Sequence, residues 1–169
     1  MAEYHATADG NRHFTLTQGA HPLGQLVYPK WFAFEATLTL ADQSAFEVKP
    51  KGFWGTTIEL LQDGRPLMRF KMGWNGNIIL HAAIPGQLEQ DFVFKQQGFF
   101  KNRFVLTDAQ HQELLAVQPD FKWKQFAYEY ALATTDAFEA LAFKPVLLLL
   151  IVHCANYYMT MMSAAVAAT

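Results

Sequence analysis

Val146-Leu147-Leu148-Leu149-Leu150-Ile151-Val152 is followed by His153, Cys154, Ala155 and Asn156, and no Asp, Glu, Lys or Arg occurs from 146 to 168. A helix over 146–168 would be roughly 34 Å long, enough to cross a bilayer core of about 30 Å. Two readings compete. Either the stretch anchors the chain in a membrane, or it fills a domain whose strands surround it, because a helix apolar on all sides needs apolar neighbours on all sides. The polar residues favour the second. His153, Asn156, Thr160 and Ser163 are three, four and three residues apart, so they share one stripe of a helix. Lipid would leave that stripe exposed at a cost, whereas a protein interior can offer it hydrogen bonds. Ala155, Ala164, Ala165, Ala167 and Ala168 allow a surrounding sheet to approach closely. Pro145 suits the first helical turn, where its missing N–H costs nothing. Asp136 is placed to cap a short preceding turn through Phe143.

Upstream, from about residue 12 to 135, the chain reads as strands and turns. Phe34, Ala36, Leu38 and Leu40 alternate with polar residues, as do Phe46 with Val48 and Met68 with Phe70 and Met72; Phe92 and Phe94 flank Val93. A period of two directs one set to a core and the other to water. Asp63-Gly64 between apolar runs at 57–61 and 66–72 is a strong hairpin signal. Further breaks fall at Trp74-Asn75-Gly76-Asn77, Pro85-Gly86, Gln97-Gly98 and Asp108–Gln112. Turns about every ten residues predict an antiparallel barrel or sandwich rather than alternating strands and helices. Phe121 and Trp123 share one parity, while Phe126, Tyr128, Tyr130 and Leu132 share the other. The slip near Lys124-Gln125 predicts either a β-bulge or a corner between two strands, and the absence of Gly and Pro favours the bulge. Eight phenylalanines are of inward type: Phe34, Phe46, Phe53, Phe70, Phe92, Phe94, Phe104 and Phe126.

Composition sets further bounds. The chain has 169 residues, 51% of them hydrophobic, 15% aromatic and 17% charged. That length suits a single domain over 1–169, and the apolar fraction is ample for a core. A net charge of −2 speaks against bulk nucleic-acid binding. The one cysteine, Cys154, makes no intrachain disulfide and fits a reducing compartment. Met1 to Arg12 is polar, without the apolar run of a secretory signal. The expected location is cytoplasmic, with anchoring through 146–168 as the alternative.

Many short antiparallel strands followed by one hydrophobic C-terminal helix resemble the tubby C-terminal-like superfamily, which includes tubby-like domains, the LURP-one-related proteins and the phospholipid scramblases. The run Phe99-Phe100-Lys101-Asn102-Arg103-Phe104-Val105-Leu106-Thr107-Asp108, then Glu113-Leu114-Leu115-Ala116-Val117, is similar to a recurring hairpin of the LURP-one-related branch. The resemblance spans roughly 12–168. It implies a closed antiparallel barrel of about twelve strands around a central hydrophobic helix over roughly 137–168. Tubby domains bind phosphoinositide headgroups through basic side chains, but no such motif matches here residue by residue. The calcium-binding segment and cysteine cluster of the scramblases have no counterpart.

No catalytic constellation stands out. His5, His13, His21, His81, His111 and His153 show no metal-ligand spacing. His153 and Cys154 point apart on a helix, and His153 reads as a satisfied core residue. Ser44 and Ser163 lie in no nucleophile elbow. Gly52-Phe53-Trp54-Gly55 is too short for a phosphate loop and reads as a turn with packed aromatics. No cofactor is implied. Three basic pairs beside aromatics are the candidate anion- or lipid-binding residues: Lys49 and Lys51 near Trp54, Lys101 and Arg103 near Phe99 and Phe100, and Lys122 and Lys124 around Trp123. They could face an anionic headgroup, although lysines on strands also serve as solvated faces that deter aggregation. The expected function is a non-enzymatic binding module whose ligand the sequence does not name, with anionic lipid or phosphoinositide as the candidates. A tail-anchored protein with a soluble β-domain is the alternative, and an enzyme or hollow carrier ranks below both.

Overall fold

Residues 1–30, 35–51, 57–73, 75–98 and 103–167 are described by the structure, a computed structural model, with side chains through Met161. Of the expected inward aromatics, Phe34 and Phe53 lie outside the described residues. Twelve strands follow in chain order: β1 (Ala2–Asp9), β2 (His13–Gln18), β3 (His21–Val27), β4 (Ala36–Leu40), β5 (Ala45–Lys51), β6 (Thr57–Gln62), β7 (Arg65–Met72), β8 (Ile78–Ala82), β9 (Gln90–Gln97), β10 (Arg103–Thr107), β11 (Glu113–Lys122) and β12 (Ala127–Thr134). Each pairs antiparallel with its neighbours, and β1 pairs with β12, with Ala2 opposite Thr134, so the meander closes into a barrel. The last elements are α1 (Asp136–Glu139) and α2 (Lys144–Ala167).

Alternation builds the wall. Ala36 and Leu38, Phe46 and Val48, Phe92 and Phe94 are buried while the residues between them face outward. Asp63 and Gly64 both have positive φ, 50° and 75°, the geometry a two-residue hairpin needs. Strand β1 begins at Ala2, ten residues before the expected start of the sheet. Its inward set is Tyr4, Ala6 and Ala8; two of the three are alanines, so the alternation is weak in hydrophobicity though regular in position.

The expected bulge at Lys124-Gln125 is absent. Strand β11 ends at Lys122, the Gln125 N–H donates to the Lys122 carbonyl at 3.1 Å, and β12 starts at Ala127. The parity slip marks the end of one strand and the start of the next. Phe126 is therefore not inward: it occupies the turn at φ 48° and is 75% exposed.

Helix α2 runs through the barrel. Leu147 to Val152 are all 0% exposed, and Val146, Cys154, Ala155 and Met159 are buried too. Burial of each valine, leucine, isoleucine or methionine among them is worth roughly 1.5–3 kcal/mol, and here every side of the helix receives it. Gly24 on β3 permits the contact: a Cβ there would lie 2.7 Å from the Thr39 carbonyl oxygen and 2.9 Å from Leu149 Cδ1. The expected division holds: the long helix starts at Lys144 with Pro145 in its first turn, and ahead of it stands the short α1. Its cap is Thr135 rather than Asp136: the Phe138 N–H donates to Thr135 Oγ1 at 3.4 Å. Asp136 instead pairs with the N-terminal ammonium.

The antiparallel order gives the barrel two ends. At one lie Ala2, Thr134, α1 and the start of α2; at the other lie the turns after β1 and β11 and the exit of α2. A strand of eight residues is about 26 Å long and inclined in a barrel, whereas 24 helical residues span about 36 Å. The helix accordingly outruns the wall. From Asn156 onward its described side chains are mostly half-buried, and Met161 is 48% exposed. Among the described residues no helix is long and apolar enough to cross a membrane.

Candidate functional site

Inside the barrel His153 and Asn156, two of the four residues of the polar stripe of α2, find partners, while the side chain of Ser163 lies outside the described residues. His153 Nδ1 lies 2.8 Å from the Tyr28 hydroxyl, and the Tyr130 hydroxyl donates to Asn156 Oδ1 at 3.1 Å. The His153 ring stacks on Tyr28 and meets the edge of Phe70. Burial pushes His153 down to about 4, so it is neutral at physiological pH, and burial raises the Cys154 thiol well above its usual range. A raised thiol is a poor nucleophile. His153 Nε2 has no partner among the described residues.

Where α2 enters, the Glu139 carboxylate collects three donors. They are the Tyr4 hydroxyl at 2.9 and 3.0 Å, Thr134 Oγ1 at 2.5 Å and Lys144 Nζ at 2.7 Å. Burial raises this carboxyl, and the bonds from Lys144, Thr134 and Tyr4 outweigh it, leaving it below its usual value. The cluster ties β1, β12 and α1 to the first turn of α2.

Two shallow depressions mark the outer wall. One, of about 360 Å³, crosses β10, β11, β12 and β1, with Ala116, Ala131 and Ala133 on its floor and Glu3, His5 and Arg103 at its edges. The other, of about 200 Å³, holds His81, whose Nδ1 is 2.6 Å from Asp91 and whose Nε2 is 3.7 Å from Glu89. No hydroxyl or thiol side chain lines the second. Among the described residues no group of three or more His, Cys, Asp or Glu could hold a metal ion.

The expected basic pairs separate into neutralised and free cations. Lys49 Nζ is 2.6 Å from Glu47, which raises its ammonium through a hydrogen bond and charge. Lys51 lies 2.9 Å from Glu59, a carboxylate it shares with Arg69 at 3.0 Å. Arg103 meets Glu113 at 2.6 Å and also bonds Gln97. Lys122 is 2.5 Å from Asp120 and 3.7 Å from Glu129. Lys124 is exposed and has no ion pair among the described residues, while Lys101 lies outside them. Around the circumference the pairs do not converge, since β5 and β11 are six strands apart. Along the axis they do: Lys51, Arg103, Lys122 and Lys124 all belong to the end from which α2 exits, and Lys49 is two residues from it.

That end is basic as a whole. Its connections and strand tips also carry Arg12, Lys30 and Lys71; its carboxylates are Asp9 and Glu35 and, two residues inside the strand ends, Glu59, Asp120 and Glu129, the partners of Lys51 and Lys122. The opposite end is acidic. Asp42, Asp63, Asp108 and Asp136 lie in or beside its connections, with Glu89 and Asp91 near the start of β9 and Glu3 near the start of β1; its basic side chains are Arg65 and Lys144. The net charge of −2 conceals this axial separation, because a sum over the chain discards position.

Apolar exposure follows the same axis. Of the eight exposed large hydrophobic residues described, Val27, Met72, Ile79, Trp123, Phe126 and Met161 are at the basic end; Met1 and Leu88 are at the acidic end. Trp123 is 75% exposed and stands edge-on to Phe121 at 4.9 Å, which in turn meets Tyr128 at 5.0 Å. The turn from Lys122 to Phe126 thus presents two exposed rings, the exposed Lys124 and the carboxylate-paired Lys122 on a small aromatic base. Sequence reasoning found the cations and Trp123 but missed that Phe126 joins them. A strand boundary placed at the parity slip would have revealed it. Compared with family models, curated proteins and solved structures, the chain matches none.

Proposed function

We propose that the protein is a non-catalytic binding module for anionic lipid surfaces, acting through the basic end of its barrel. The observation that carries this reading is the axial charge separation. A chain of net charge −2 approaches an anionic surface only if its cations are gathered and its carboxylates held away. Each lysine or arginine near such a surface contributes on the order of 1 kcal/mol, and the field fades within a Debye length of about 8 Å at physiological salt. The acidic end is a barrel length away, beyond that reach. Ion pairing of Lys51, Arg103 and Lys122 reduces their contribution; Lys124, Lys30, Lys71 and Arg12 carry the rest. We also propose kinship with the tubby C-terminal-like superfamily, supported by a closed twelve-strand meander around a C-terminal helix.

Co-sedimentation with phosphatidylserine-containing vesicles tests the reading. The expected result is binding at low salt that weakens as salt rises, with none to phosphatidylcholine alone. Absence of binding to anionic vesicles at low salt would overturn it.

A further inference from the structure

From the exposed rings of the Lys122–Phe126 turn, their two lysines and the projecting end of α2, we infer that the barrel docks end-on. Its axis stands upright on the bilayer, and Trp123, Phe126 and Met161 enter the interfacial layer. The inference rests on the anionic-surface reading and adds to it the orientation and the inserting groups.

Phe126 provides the first argument. It is a bulky residue at φ 48°, 75% exposed. The left-handed region costs an L-residue roughly 1–2 kcal/mol, and among the described residues the ring contacts of this turn join Phe121 to Trp123 and Tyr128, not to Phe126. Among the described residues the other non-glycine residues with positive φ are Gln43, Asp63 and His111, all polar and all in turns of the acidic end. Strain held at an exposed apolar side chain points to a use outside the fold.

A second argument is the side-chain chemistry. Trp123 lies between Lys122 and Lys124. An indole flanked by ammonium groups suits the headgroup layer, where the ring is half-immersed and the amines meet phosphates.

Geometry supplies the third. Val27, Met72 and Ile79 are exposed on β3, β7 and β8 toward the same end, and α2 emerges from its centre to expose Met161. Cations follow the rim at Arg12, Lys30, Lys51, Lys71, Arg103 and Lys124. Apolar groups at the centre and on part of the wall, with cations spread around the circumference, fit a plane laid across the barrel axis. Contact along one side wall would engage only a few of them.

The test uses the full chain, phosphatidylserine/phosphatidylcholine vesicles, and the double variant Trp123→Ala/Phe126→Ala, with urea unfolding to verify its fold. Sedimentation is expected to show roughly tenfold weaker binding for the variant, about what 1.4 kcal/mol of lost insertion would give. Fluorescence of the wild-type tryptophans is expected to be quenched by lipids brominated high on the acyl chain and little by lipids brominated deep in it. A folded variant that binds as the wild type does, or wild-type binding without quenching, would overturn end-on insertion while leaving electrostatic adhesion standing. Failure of the wild type to bind at all would overturn both.

Discussion

The two ends of this barrel are built from the same hairpins yet differ in nearly every exposed property. The acidic end is closed by polar turns, with Gln43, Asp63 and His111 in the left-handed positions, and sealed by the Glu139–Lys144–Tyr4–Thr134 cluster. The basic end lets α2 through and exposes rings and methionines. One end serves the fold by fixing the helix entrance; the other leaves apolar groups and cations unburied. The barrel wall between them is governed by packing, so its demands are those of any closed sheet. Function is more readily sought where exposed residues serve no packing need.

The largest effect separates interior from rim. Leu149→Asp should prevent cooperative folding, because an unpaired carboxylate in the barrel costs well over about 4 kcal/mol. Met161→Asp, one helix-end away, should change stability by less than about 0.5 kcal/mol. Urea unfolding of both checks the contrast; equal tolerance would mean that α2 does not fill the barrel.

Next in size is a pH effect from His153. Its folded value of about 4 lies below the 6.5 of an ordinary histidine, so the unfolded chain takes up a proton first. The fold keeps this stability above about pH 6.5 and loses it as pH falls toward 4, by an amount on the order of 3 kcal/mol. His153→Phe should flatten the stability profile between pH 6.5 and 4 relative to the wild type. An unchanged slope would show that the imidazole is not held neutral in the core.

A smaller change, about 1–3 kcal/mol, is expected for Gly24→Ala, which pushes a methyl group against the Thr39 carbonyl and Leu149. The smallest runs the other way. Phe126→Gly should stabilise the fold by about 0.5–1 kcal/mol through relief of the positive φ while weakening vesicle binding. Gain in one and loss in the other would sharpen the distinction between a residue kept for the fold and one kept for contact. Loss of stability would show that Phe126 packs.

Much of the barrel was legible because strands enforce a period of two. Leu38, Val48, Phe70 and Phe94 announce their faces, and Asp63-Gly64 announces its turn. Strand β1 was hidden because Ala6 and Ala8 fill inward positions without strong hydrophobicity. The turn at 123–126 was hidden because it contains neither Gly nor Pro, and its left-handed position is filled by Phe126. The helix was visible as apolar on all sides, and His153 and Asn156 of its polar stripe correctly indicated partners within the chain, although Tyr28 and Tyr130 are distant in sequence. The basic pairs were visible one by one. Their common end was not, because it emerges only when alternate hairpins are laid in antiparallel order, and their carboxylate partners sit across strands. The His81–Asp91 pair was concealed for the same reason, ten residues apart yet directly cross-strand.

The two ends can be compared directly with one fluorophore. Cys154 is buried, so a cysteine introduced as Gln125→Cys in the basic-end turn, or as Asp63→Cys in an acidic-end turn, labels selectively with an environment-sensitive dye such as NBD. On adding phosphatidylserine-containing vesicles at low salt, the account predicts a blue-shifted, enhanced signal at position 125 and none at 63, reversed by high salt. A response at 63 alone, at both positions equally, or at neither would contradict the claim that this barrel meets an anionic surface through its basic end.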